Sequence, residues 1–473
     1  MRIHESAFWF CALFLIGVFL MSILDNFLII MLSTLLFSLY LIIFKKYYYS
    51  VLILFIIVGA FYFQAFDYFY EVKTNIIFNE KITFNGLVTN IREKEKSQDL
   101  TIELKDSYKG KIKIIVQKYP SYSYGDLIKI TGIVKEPLPD SKNYFAKEGL
   151  LGISIFSNVE LLDRGQGNFL KSNLLNLKNS IVNSFKRILP PQKAAFLSGI
   201  TLGEREQFSD EFNEKMSLSG TTHLVALSGY NIAIIAWAVA LMLGSYFSRT
   251  TSFYLSVGII VLFVLMTGGE ASIIRAAIMG IIALLAAQTE RMFSMKNAMV
   301  ISAFLMILFN PRLLVFDLGF QLSFAALLGL VYILPVLKNV FNFETGGFLS
   351  WKENAITTLS AQLAVMPLLL VNFGTFSLSS LFANILILEV VPLTMGLGFI
   401  MGVVSFVSDF LASMIGRVIN LLLSYELWII DIFSKITIPI KIENFSIFMT
   451  VIYYLVLVSV LFLIKKRSLK ESS

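Results

Sequence analysis

The chain has 473 residues, of which 56% are hydrophobic, 43 are phenylalanine and only 15% are charged, and its mean hydropathy is +0.75. Soluble domains run near ~45–50% apolar and ~25% charged, so this composition excludes an ordinary soluble fold and specifies a polytopic membrane protein. The net charge of +7 first reflects basic cytoplasmic loops and is no sign of nucleic-acid binding by itself, while the single cysteine, Cys11, excludes an intrachain disulfide.

In chain order, Arg2 precedes an apolar run from Ala7 to Leu24, and two further runs follow at Phe27 to Phe44 and Val51 to Phe66. No small-residue cleavage site of the A-x-A kind separates them, so residues 1–66 read as three retained transmembrane anchors near the ~20 residues a bilayer requires. Lys45 and Lys46 form the only basic turn between these runs and are expected in the cytoplasm, which sends the next segment out of the cell.

Residues 67–168 change character. The stretches ITFNGLVTNI, DLTIEL, GKIKIIVQ, YGDLIKITGIV and LGISIFSNVELL alternate as strands do, with a turn at Gly125-Asp126 and Pro137 and Pro139 in one connection. Five short strands of this kind predict a small all-β, OB-like barrel, inserted between the spans and extracytoplasmic. It holds 15 Lys and Arg against 14 Asp and Glu, so no global field draws phosphate to it. Locally, Lys109, Lys111 and Lys113 are spaced two apart, with Tyr119, Tyr122 and Tyr124 following. Of these, Lys109, Lys111, Lys113, Tyr122 and Tyr124 are candidates for tracking phosphates and stacking on bases, and an ordinary solvated strand face explains them equally well.

Residues 169–193 carry Leu170, Leu174, Leu177, Ile181, Phe185 and Leu189 at helical spacing beside Lys171, Lys178, Lys186, Arg187 and Lys193. No acidic residue lies between Asp163 and Glu204. This predicts an amphipathic helix in the membrane interface, binding anionic headgroups or guiding a polyanion towards a pore.

From 194 to 464 about nine apolar runs follow, near 222–243, 253–267, 272–289, 297–309, 317–337, 355–372, 382–405, 410–433 and 445–464, for about twelve spans in all. The odd number returns the basic tail 465–473, with Lys465, Lys466, Arg467 and Lys470, to the cytoplasm. Arg249, Arg291, Lys296, Lys338 and Lys352 fall on the same side, whereas Arg312, Lys435 and Lys441 break the pattern.

A strong hydrogen-bonder at bilayer depth costs at least ~2–3 kcal/mol and is normally kept for a path or a partner. TTHLVALSGYN contributes His223, Ser228, Gly229 and Asn231; TGGEASIIRAAIMG contributes Glu270 and Arg275; FDLGFQLSF contributes Asp317 and Gln321; the segment from SAQLAV to ANILILE contributes Gln362, Asn384 and Glu389. Asp317 and Gln321, four apart, share a helical face. The residues suggest a polar interior, with His223, Ser228, Gly229, Asn231, Glu270, Arg275, Asp317, Gln321, Gln362 and Asn384 as lining or gating candidates.

These segments, in this order, resemble the membrane domain of the ComEC family, the DNA-uptake channels of natural competence: HLVALSGYNI, TGGEASIIRAAIM, FDLGFQLSFAA and SAQLAVMPLLLVNF…LFAN. The β domain, with YGDLIKITGIVKEP and FAKEGLLGI, resembles the family's extracytoplasmic OB-like domain. The resemblance covers most of the chain from Lys81 to Asn384 and implies a channel that passes single-stranded DNA inward. It also implies a separate DNA receptor and a cytoplasmic ATPase motor, since no GxxxxGK[ST] loop is present. Longer family members have a second histidine where this chain has Asn231, and they carry a C-terminal metallo-β-lactamase domain. With only two histidines, His4 and His223, this chain is expected to hold no metal or other cofactor and no enzyme activity, leaving any nuclease to a separate protein. A carrier of another polyanion or lipid-linked substrate, and a hydrolase built around His223 and Ser228, are the alternatives. His223 itself reads as a lining or gating residue, as a catalytic one, or as a neutral imidazole bonded to backbone. Arg275 either contacts phosphates or pairs with Glu270 or Asp317.

Overall fold

The computed structural model describes residues 3–70, 76–93, 96–105, 108–138, 141–204, 208–225, 232, 246–341, 351–377, 379–437, 440–442 and 445–471. The chain divides into two compact units, residues 1–176 with 281–320, and residues 177–280 with 321–473.

The first unit opens with α1 (Ile3–Leu24), α2 (Phe27–Ile43), α3 (Tyr47–Ile53) and α4 (Phe55–Tyr70). Asn26 starts α2 by accepting the Ile29 amide on its side chain at 3.2 Å, which satisfies one of the free N–H groups of the first turn. The crossing of α1 and α4 is built on two glycines. A Cβ at Gly17 would lie 2.0 Å from the Ile56 carbonyl oxygen, and one at Gly59 would lie 2.1 Å from that of Phe14. With no side chain on either, the backbones touch, which is how apolar helices gain packing where lipid is as apolar as leucine.

The β domain follows as β1 (Lys81–Glu93), β2 (Ser97–Leu104), β3 (Lys111–Gln117), β4 (Leu127–Ile133), helix α5 (Lys142–Glu148), β5 (Leu150–Ile155) and β6 (Asn158–Asp163). The strand order is β5-β3-β2-β1-β4-β6, antiparallel except for β3 with β5. Beyond β4, Lys135 exchanges two backbone hydrogen bonds with Ile153 of β5, at 2.8 and 2.9 Å, so the ends of the five-strand set meet. Alternation sends Phe84, Val88, Leu100, Ile102, Ile112, Ile114, Ile128 and Ile130 into one core. The expected strand over residues 151–162 is two strands, broken where Phe156 takes a positive φ of 52°. Helix α5, unexpected from the sequence, occupies the connection after Pro137 and Pro139.

Helix α6 (Phe169–Ile188) realises the amphipathic pattern and is followed by α7 (Pro191–Leu202), α8 (Asp210–Ser219) and the single turn α9 (Thr222–Val225). Its apolar stripe is buried in protein at Ile181, Val182 and Phe185. Its cations also find protein partners, Lys178 pairing with Glu204 at 2.6 Å and Arg187 with Asp409 at 3.0 Å, and Lys193 Nζ, beyond Pro190 in α7, donates to Asn420 Oδ1 at 2.7 Å. The expected interfacial helix therefore faces lipid only in part, with Phe169, Leu170 and Leu177 exposed.

The remaining helices are α10 (Arg249–Thr267), α11 (Ala271–Gln288), α12 (Met295–Phe309), α13 (Leu313–Phe316), α14 (Leu318–Leu328), a π-helical turn (Gly329–Ile333) and α15 (Leu334–Phe341). They are followed by α16 (Trp351–Phe373), α17 (Ser380–Ile387), α18 (Val391–Val404), α19 (Asp409–Ile436) and α20 (Ile447–Glu471). A two-residue ribbon pairs β7 (Thr375–Phe376) with β8 (Ile440–Lys441).

Among the described residues eight helical stretches are long and apolar enough to cross a membrane, or nine if α17 and α18, bent by 50°, form one span. The expected dozen is not reached by that measure. Phe27–Ile43 and Met295–Phe309 are apolar helices of 17 and 15 residues, short of the ~20 of a full crossing, and most of the run 222–243 lies outside the described residues. Two of the three cations that break the charge pattern are neutralised locally, Arg312 by Asp67 at 2.9 Å and Lys435 by Asp431 at 2.6 Å.

Candidate functional site

The segment from SAQLAV to ANILILE meets the end of α8 in the second unit at Ser380, the first residue of α17. Helix α8 ends in Gly220, whose φ of 68° closes the helix in the left-handed conformation, and a Cβ there would lie 2.2 Å from the Ser380 Cβ. From α16, Gln362 Nε2 donates to Ser380 Oγ at 2.7 Å, and Ser380 Oγ donates onward to the Ser377 carbonyl at 2.7 Å. Ser377 Oγ donates in turn to the Leu218 carbonyl at 2.7 Å, and Ser379 bonds Thr437. One turn beyond Ser380, Asn384 is buried, and its side-chain oxygen has no partner among the described residues.

His223 stands three residues after Gly220. Helix α9 buries Leu224 and Val225, and His223 keeps an exposed side chain. Ser228, Gly229 and Asn231 lie outside the described residues.

Arg275 of α11 donates to the Ser323 carbonyl on α14 and lies 5.8 Å from the centre of the Phe324 ring. Its buried Nε has no partner among the described residues. The arginine thus joins two helices through a carbonyl and a ring, in place of the expected pairing with Glu270 or Asp317. Glu270 is exposed at the start of α11, where its carbonyl accepts from the Ile273 and Ile274 amides. Gln321 is half-buried on α14.

Asp317 belongs to the first unit, and its partner there is the β domain. Its Oδ1 accepts the Phe320 amide at 2.5 Å, capping α14, and its Oδ2 accepts Lys147 Nζ of α5 at 2.6 Å. Burial opposes the charge on Lys147, but the hydrogen bond and charge of Asp317, with Glu148 beside it, outweigh burial and hold the pKa above the ordinary lysine value. A raised lysine pKa contributes stability that is complete below the unfolded value and fades as pH rises through the folded one, so this pair is intact across the neutral range.

On the β domain, Lys111 and Lys113 share one face of β3 as expected, while Lys109 precedes the strand. Lys113 is bound to Asp99 at 2.8 Å, and Lys109 and Lys111 are exposed. Tyr122 is 7% exposed within the core of the β domain, where its hydroxyl donates to the Val159 carbonyl, so no base can stack on it. The Tyr124 ring is covered by Lys171 Nζ at 4.6 Å, and its hydroxyl accepts the Asn168 amide. A groove on this domain is lined by Asn90, Arg92, Asp99, Lys113, Tyr144 and Glu148.

Sequence reasoning passed over Ser380, Lys147 and Glu426. Glu426 is fully buried on α19, one carboxylate oxygen accepting from Thr394 Oγ1 at 2.7 Å and the other without a partner among the described residues. An acidic residue inside the run 410–433 was the available signal for Glu426; a serine in a serine-rich loop and a lysine 170 positions from its partner offered none.

A family profile described as Competence protein matches residues 200–467, which contain the Ser380 junction, Arg275 and Glu426. ComE operon protein 3 of Bacillus subtilis (strain 168) is 30% identical over 217 residues, 46% of this chain. The matched stretch spans 27% of that relative's length. No solved structure matches the chain. With the family profile matched over more than half of its length, the chain belongs to the competence protein family.

Proposed function

We propose that the protein is a membrane channel that carries single-stranded DNA into the cytoplasm during natural transformation. The observation that carries this reading is the match of residues 200–467 to the competence family, a stretch that includes the junction where Gln362 and Ser377 bond Ser380 and Gly220 lies against it. Its groups are neutral hydroxyls, amides and carbonyls. Ser380 is buried and its hydroxyl is already bonded on both sides, so the junction supports the reading by holding α8, α16 and α17 together. Arg275, with a buried N–H unmatched among the described residues, adds positive potential.

The β domain supports the same reading as an extracytoplasmic, OB-like receiver of the strand. The parallel pairing of β3 with β5 and the Lys135–Ile153 bridge are the connections that close a five-stranded Greek-key barrel. The C-terminus is then cytoplasmic, and a separate receptor, an ATPase motor and a nuclease act as partners.

The test is uptake of fluorescent DNA by cells carrying Arg275→Glu beside wild type, with membrane abundance measured for both. Loss of uptake at equal abundance is expected, by at least about tenfold, since reversing a buried charge costs several kcal/mol. Unchanged uptake in a strain lacking the whole gene would end the DNA reading.

A further inference from the structure

The β domain is fastened to the helical part of its own unit at the C-terminal end of α5, and the fastening is dense. Asp317 holds Lys147 at 2.6 Å. Asn310 Nδ2 donates to the Lys147 carbonyl at 3.1 Å, and Arg312 donates to the Ala146 carbonyl at 3.1 Å. Arg312 also pairs with Asp67 near the end of α4 at 2.9 Å, with its guanidinium 5.9 Å from the Phe66 ring. Three of these bonds take up carbonyls or charge at the end of a helix of seven residues, the part of α5 that is otherwise unsatisfied. Lys147 and Asp317 both keep little exposed surface, 19% and 9% of their side chains, so their attraction is poorly screened.

We propose that Asp317 is a positioning residue that latches the β domain to the first turn of α14, and not a residue that lines a path. One carboxylate does two jobs: Oδ1 fixes the start of α14 at the Phe320 amide, and Oδ2 holds Lys147. A residue whose two oxygens are both taken by protein donors, and which is 6% exposed, has nothing to offer a passing strand. The latch also borders the groove on the β domain. Glu148, which lines that groove, bonds Lys147 at 3.1 Å, and the Tyr144 ring has Lys113 Nζ at 5.9 Å and Lys147 Nζ at 5.5 Å. A ligand that draws Lys147 or Glu148 into the groove loosens the hold on Asp317, so occupancy of the β domain is expected to be felt at the start of α14. This holds whatever the transported polymer is, and so is independent of the DNA reading.

The experiment is amide hydrogen exchange of the full-length protein in detergent, on Lys147→Ala, Asp317→Asn, the double variant and Lys147→Arg. Lys147→Ala is expected to speed exchange in residues 142–149 by about tenfold or more, the scale of a lost charge-assisted hydrogen bond. Asp317→Asn keeps an oxygen for the Phe320 amide, so it should do the same in 142–149 while leaving that amide protected. The double variant should exchange no faster than the faster single, because the two residues form one unit. Lys147→Arg should restore protection. If Lys147→Ala leaves 142–149 at wild-type rates, or if the two substitutions multiply, the latch is wrong and Asp317 acts alone.

Discussion

Gly220 is the residue on which the Ser380 junction closes. An alanine there must adopt a left-handed conformation and push its Cβ against Ser380. The conformation alone costs about 1–2 kcal/mol for a residue with a side chain, and the contact adds to it. Gly220→Ala is therefore expected to destabilise the protein by at least about 2 kcal/mol in thermal unfolding in detergent. It should also weaken the Gln362–Ser380 bond; a variant as stable as wild type would show that the α8 terminus and α17 do not oppose each other closely. The Glu426 carboxyl is buried and one of its oxygens is held by the Thr394 hydroxyl, which ties α19 to α18. His223 sits beside this junction and hydrogen-bonds the Gly220 backbone, and residues 226–231 after it are outside the described residues.

At the scale of elements, apolar runs translated almost directly into helices, because a segment that crosses lipid must satisfy its own backbone and has few alternatives. The strands of the β domain were legible for a different reason: alternation with period two separates Ile112, Ile114 and Val116 from Lys111 and Lys113. What stayed hidden was α5, whose KNYFAKE carries too few apolar positions to show a helical period and is stabilised by partners about 165 residues away. Tyr122 was misjudged for a related reason. Its place in a loop sequence rich in tyrosine looked solvent-facing, and only the three-dimensional packing of the β domain buries it. The α1–α4 crossing gives a sharp expectation at this scale. Gly59→Val must drive the helices apart at the Phe14 carbonyl, at a cost of about 1–3 kcal/mol or more. Reduced membrane abundance and a lower unfolding temperature for Gly59→Val, with Gly258→Val near wild type because Gly258 has open space around it, would mark the crossing as the cause.

For the molecule as a whole, the charge pattern of the loops predicts sidedness, and the lone cysteine makes it testable. In a Cys11→Ser background, Leu138→Cys lies on the β domain at 73% exposure and Met292→Cys in the loop between α11 and α12 at 99%. An impermeant maleimide added to intact cells is expected to label Leu138→Cys and to reach Met292→Cys only after lysis. The reverse pattern would invert the topology and with it the direction of any transport. The family was legible from four short segments in order, yet the way they assemble was not: sequence spacing placed Asp317 beside Gln321 on one face, whereas the structure gives Asp317 to the β domain and leaves the junction to Ser380.

The wide turn at Gly329–Ile333 has one more implication. A π-turn holds one residue more than an α-turn, and Gly329 is where it presses on the backbone of α16, a Cβ there falling 2.4 Å from the Ser360 carbonyl, two residues before Gln362. The surplus residue acts as a phase setting between the helix of FDLGFQLSF and the helix of SAQLAV. Deleting a single residue from this turn would rotate everything after it by about 100° around the helix axis, so the chain has, in this turn, a length it cannot change by one.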